Sequence, residues 1–97
     1  MRLSQEEKES IQRVVNNFGS DLSVYLFGSR SDDNKLGGDI DLLILSTKKI
    51  SFRDKLILKT EIQDLIGEQK IDLVIAEKDS QDPFVKMILE HGVLLND

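Results

Sequence analysis

Three aspartates stand where carboxylates can do chemistry. Ile40-Asp41-Leu42-Leu43-Ile44 is echoed later by Ile71-Asp72-Leu73-Val74-Ile75, and Asp39 lies two residues before Asp41. If the two runs are neighbouring parallel strands in matching register, Asp41 and Asp72 sit side by side, about 4.8 Å apart. Side chains two apart on a strand share a face, which brings Asp39 to the same rim. Aspartate is a poor strand former, and like charges opposed across a sheet destabilise it. Carboxylates gathered this way raise one another's pKa unless positive charge lies between them. A hard divalent cation with oxygen ligands supplies that charge, and magnesium, commonly shared between carboxylates and substrate phosphates, suits best. Two such ions roughly 3.5–4 Å apart would activate an attacking hydroxyl and stabilise a leaving oxygen. The bland alternative is that acidic residues at strand ends merely face solvent.

Gly28-Ser29-Arg30 supplies candidates for the anionic half of such a site. Glycine lets backbone amides approach a phosphate, the Ser29 hydroxyl can donate to one of its oxygens, and Arg30 can pair with it. Taken alone, Gly-Ser after a strand is only a turn. Its value lies in its place one loop ahead of the acidic pair.

The elements that must position these residues can be read along the chain. Ser4-Gln5-Glu6-Glu7 has the form of a capping box, and Ile11, Val14, Val15 and Phe18 follow at helical spacing before Gly19 ends the helix. Residues 23–27 (Ser-Val-Tyr-Leu-Phe) predict a short strand, and residues 30–38 a loop without periodicity. Residues 40–45 form an apolar run interrupted only by Asp41, as in a strand covered on both faces. Ser51 caps a second predicted helix with Leu58, Ile62, Leu65 and Ile66 on one side and Gly67 at its end. Residues 71–75 predict a third strand. Asp82-Pro83 opens a third helix lined by Phe84, Met87 and Ile88, ended by Gly92, with residues 93–95 as a short edge strand. Phe18, Phe52 and Phe84 fall at helical core spacing and suggest packing rather than base stacking.

The strand–helix–strand segment predicts a right-handed parallel crossover, and the shorter loop before it an antiparallel pair. The expected class is α/β (α+β): a mixed three- to four-stranded sheet with helices packed on it, in one domain spanning 1–97.

Ninety-seven residues with 39% apolar content allow one compact core and no separate binding domain. Thirteen Lys and Arg against 18 Asp and Glu leave a net charge of -5. Strong unaided binding to nucleic acid is therefore not expected, since phosphate-gripping proteins carry a basic face. With no cysteine, disulfide frameworks and thiolate metal sites are excluded. No apolar run approaches the roughly 18 residues needed to span a membrane, and the polar start reads as a helix rather than a secretory signal, so the expected location is cytoplasmic. His91 sits in the last turn of a helix, which a helix-end charge interaction explains without chemistry. Lys48 and Lys49 read as a solvated loop or as a face toward an acidic partner.

With these residues in view, the chain resembles the DNA polymerase beta-type nucleotidyltransferase superfamily, in particular the minimal nucleotidyltransferases of bacteria and archaea. The signature is a strand ending in Gly-Ser, a loop, Asp-x-Asp opening the next strand, and a later third Asp. It stands here as Leu26-Phe27-Gly28-Ser29-Arg30, Gly38-Asp39-Ile40-Asp41-Leu42 and Lys70-Ile71-Asp72-Leu73-Val74. The resemblance implies that Asp39 and Asp41 bind two Mg2+ ions, Mn2+ being an alternative. Asp72 would be a ligand and the base for the incoming hydroxyl, and Gly28, Ser29 and Arg30 would hold the triphosphate. It further implies transfer of a nucleoside monophosphate, AMP from ATP, to a hydroxyl on a partner protein or RNA. Proteins of this size are often encoded beside a HEPN-family protein as toxin–antitoxin pairs, which implies a HEPN partner and a homo- or hetero-oligomer. The loop departs from the family pattern, with Asp32 and Asp33 where a second arginine is common and Lys35 as the compensating cation of the same loop. That departure keeps a second reading open, a catalytically degenerate module that acts by binding its partner. An aspartyl-phosphate enzyme of the haloacid-dehalogenase type also uses Asp-x-Asp, but there the pair follows an apolar strand, whereas here it precedes one.

Overall fold

The computed structural model describes residues 3–28, 39–67 and 69–96. Its elements are α1 (Gln5–Phe18), β1 (Ser23–Phe27), β2 (Ile40–Ser46), α2 (Phe52–Ile66), β3 (Ile71–Glu77), α3 (Pro83–His91) and β4 (Val93–Leu94). The sheet runs in the order β3-β2-β1-β4, with β1–β2 and β1–β4 antiparallel and β2–β3 parallel. The expected mixed sheet and the parallel pairing of β2 with β3 across α2 are both present, and β4 is the short edge strand.

The helix starts follow from local chemistry. Ser4 and Glu7 form a complete capping box, Ser51 accepts from the Asp54 N–H, and Asp82 accepts from the Phe84 N–H with Pro83 at the first helical position. The helix ends are less uniform. Gly19 is extended rather than left-handed (φ -174°), so it ends α1 without the usual glycine conformation.

The sheet is covered on both faces, which explains the almost uninterrupted apolar sequence of β2. Ile40, Leu42 and Ile44 point to one face and pack with Ile11 and Val15 of α1 and Leu58 and Ile62 of α2. Leu43 and Leu45 point to the other and meet Val85 and Ile88 of α3, with Tyr25, Phe27, Val74 and Ala76 around them. The helix faces differ from those expected in all three helices. Phe18 and Leu65 are exposed, and α3 buries Val85 and Ile88 whereas Phe84 and Met87 are exposed. Phe52, expected in the core, is 72% exposed.

Candidate active site

The parallel pairing sets Ile40 opposite Ile71, Asp41 opposite Asp72 and Leu42 opposite Leu73. The repeated Ile-Asp-Leu framing is therefore a register. Isoleucine and leucine on either side of each aspartate are buried on the α1/α2 face, and they pin the alternation that turns both carboxylates to the opposite face. Asp41 also stands opposite Phe27, the last residue of β1. Asp39 immediately precedes β2, where the Ile40 N–H donates to the Lys70 carbonyl at 3.0 Å and ties the two strand starts together.

Electrostatics follow from this placement. Burial, first of all, pushes the Asp41 carboxyl above its ordinary value of 3.8; the charge of Asp72 and a hydrogen bond with it come next, and Asp39 adds to them. Lys70 works in the other direction. Its Nζ lies 3.4 Å from Asp39 Oδ2, an ion pair between two well-exposed side chains. Lys70 was not among the residues singled out in the sequence. The signal was its position two residues before Asp72, but only the strand register brings it to Asp39.

Gly28 follows β1 with φ +74°, a region that L side chains rarely adopt. A Cβ there would overlap a carboxylate oxygen of Asp41. The glycine thus makes room for the acidic pair, a role beyond the phosphate contact expected of it. Ser29 and Arg30, together with the loop residues Asp32, Asp33 and Lys35, lie outside the described residues.

These donors suit a hard cation. All three are carboxylates, and Asp41 is raised by burial and then by the negative charge beside it, the second of which a divalent ion would offset. Among the described residues, no three acidic or histidine side chains already stand close enough to enclose one ion. Asp39 faces Lys70 while Asp41 faces Asp72. The remaining titratable candidate, His91, is exposed and lies 3.8 Å from Glu90.

Comparison with curated protein sequences finds no match. Solved structures similar in fold include two that carry nucleotide chemistry. One is a chain from tri-AMPylated Shewanella oneidensis HEPN toxin in complex with MNT antitoxin, at 21% identity and TM-score 0.72, covering 94% of this chain and 70% of that one. The other comes from a toxin–antitoxin structure with AMP-PNP, at 20% identity and TM-score 0.75, covering 91% and 71%. No described helix is long and apolar enough to cross a membrane. The family model for polymerase beta, nucleotidyltransferase, matches residues 9–97, and with Asp41 and Asp72 paired across its parallel strands the chain belongs to that family.

Proposed function

We propose that this chain transfers AMP from ATP to a hydroxyl of a HEPN-family protein encoded beside it, and so acts as the antitoxin of the pair. The observation that carries the reading is the register that sets Asp41 beside Asp72 on parallel strands, at a rim where burial and like charge raise the Asp41 carboxyl. The fold neighbours support the choice of nucleotide and partner: one comes from a complex with an AMPylated HEPN toxin, the other from a structure with AMP-PNP.

In this reading Asp39, Asp41 and Asp72 hold divalent metal, Mg2+ for preference, with Mn2+ able to replace it. When bound, the metal supplies charge neutralisation for the triphosphate and for the oxygens that gain charge during transfer. Asp72 is exposed, so a separate acceptor can reach it. Its carboxylate takes the acceptor's proton as the hydroxyl oxygen bonds to the α-phosphorus, and the bond from that phosphorus to the bridging oxygen breaks with pyrophosphate as the leaving group. Gly28 keeps the space beside Asp41 clear, and Ser29 and Arg30 hold the phosphates.

The ion pair of Lys70 with Asp39 favours one further reading, a module whose acidic rim is neutralised from within and which acts by binding alone. Incubation of the chain with labelled ATP, magnesium and the neighbouring HEPN protein separates the two. Label on the neighbour, lost on substitution of Asp39 and Asp41, supports transfer; a stable complex without label supports the binding module.

A further inference from the structure

The opposite end of β2 and β3 carries a different surface. Residues 48–59 contain Lys48, Lys49, Arg53, Lys55 and Lys59 against the single acid Asp54, a net charge of +4 in a chain whose total is -5. The remaining residues therefore carry -9. None of the five cations forms an ion pair with another described residue.

Apolar side chains lie among them. Phe52 is 72% exposed, Leu56 47% and Ile57 39%, all on the first half of α2, although Leu58 and Ile62 already anchor that helix to the core. Phe52 belongs at once to two adjoining depressions. One is a largely apolar groove along α2 with Leu56 and Ile57, bordered by Arg53 and Glu61. The other, of about 530 Å3, is flanked by Lys48, Lys49 and Lys55 and floored by Val74 and Ala76 of the edge strand β3. Of its two acids, Asp82 is turned to the Phe84 N–H at 2.9 Å, capping α3, which leaves Glu77 beside the three lysines. An exposed apolar patch with a charged rim is the form of a protein contact surface.

We infer that the first half of α2, with Phe52 at its centre and Lys48, Lys49 and Lys55 at its rim, docks a protein partner whose matching face is apolar at the centre and acidic around it. The argument for that occupant is charge complementarity. A second copy docked by the same face, as in a two-fold dimer, would bring its own five cations against these five, and nucleic acid would leave Phe52, Leu56 and Ile57 in water. The inference rests on the reading that the acceptor is a separate protein, and it assigns that protein a foothold. The docking surface begins beyond the far end of β2 from Asp41, five residues or about 17 Å along the strand at the rise of an extended chain. Docking and chemistry are therefore separable by substitution.

The test compares the wild-type chain with Phe52→Ser and with the double variant Lys49→Glu/Lys55→Glu, using the neighbouring HEPN protein as probe in calorimetry and in the transfer assay. Each variant should weaken the complex by about tenfold or more and raise KM for the protein acceptor. The melting temperature, the ATP–magnesium thermal shift and kcat at saturating acceptor should stay as in the wild type, because these side chains are exposed and remote from the carboxylates. Variants that bind the HEPN protein as the wild type does overturn the docking surface and leave the transfer reading standing. Loss of binding to RNA or to anionic vesicles, with the HEPN complex intact, overturns it too. So does a dimer of the chain alone that Phe52→Ser dissolves. If the wild-type chain forms no complex with the HEPN protein and labels it in no assay, the acceptor reading fails and takes this occupant with it.

Discussion

Asp41 and Asp21 show how differently the two ends of the same sheet treat a carboxylate. Near the far end of β2, Asp21 receives the Thr47 hydroxyl and the Thr47 N–H, the latter at 3.2 Å, and those hydrogen bonds hold its carboxyl below the ordinary 3.8. At the near end, Asp41 is raised, by burial first and by Asp72 second. One carboxylate is stabilised by the fold. The other is kept at a cost in local stability. The same polarity extends to the surface, where the end bearing Asp41 gathers Asp39 and Asp72 while the end bearing Thr47 leads into Lys48, Lys49 and the basic half of α2. A fold that places an unfavourable carboxylate so deliberately is most simply read as keeping it for a ligand, whereas Asp21 is a structural tie.

Breaking the near end should have the largest effect. Asp41→Asn is expected to lower transfer by at least about a hundredfold and to abolish any magnesium-dependent thermal shift, while the metal-free protein melts at the wild-type temperature or above it. A magnesium titration followed by melting temperature, beside the labelled-ATP assay, reads both. Gly28→Ala attacks the same rim through the backbone. Its positive φ costs on the order of 1–2 kcal/mol for an L residue, and the new methyl must displace the Asp41 carboxylate, so stability and metal affinity should fall together. Denaturant melts with and without magnesium test that coupling; a variant that loses stability but keeps its magnesium shift would confine the glycine to a backbone role.

Acid titration sharpens the comparison, because the two aspartates predict opposite slopes. A carboxyl raised on folding binds its proton more tightly in the folded state, so Asp41 contributes stability that grows as pH falls through its raised value and levels off near 3.8. A carboxyl lowered on folding contributes stability that is present above 3.8 and is lost as pH falls through its depressed value, as for Asp21. Asp41→Asn should remove the gain on acidification, and Asp21→Asn should lessen the subsequent loss, in melts recorded across that range without metal. The smallest effect is expected of Lys70→Gln. The pair with Asp39 is exposed and worth little to stability, at most about 1 kcal/mol. Removing a cation beside the acidic rim should nonetheless tighten magnesium binding a few-fold in calorimetry.

The near end was legible in the sequence because its signal is a repeat. Two apolar runs framing an aspartate in the same way specify a register, since a slip of one residue would bury Asp41 and Asp72 and expose Ile40 and Ile71. The three helix caps were equally legible, being local chemistry of Ser4, Ser51 and Asp82. The helix faces were not. In α3, Phe84-Val85 and Met87-Ile88-Leu89 put apolar residues at adjacent positions, so periodicity over nine residues does not choose between the face of Val85 and Ile88 and that of Phe84 and Met87. Phe52 misled for a related reason: it lies six residues before Leu58, about 120° around α2 from the face that Leu58 and Ile62 bury. Lys70 escaped notice because its partner Asp39 is distant in sequence and is brought near by strand pairing alone.

The most direct test of the account is anomalous diffraction from crystals grown with Mn2+ and a non-hydrolysable ATP analogue. Manganese is expected within bonding distance of Asp39, Asp41 and Asp72 with the triphosphate against it. Ordered nucleotide with no metal at those three carboxylates, or with Lys70 still paired to Asp39 in its place, would contradict it.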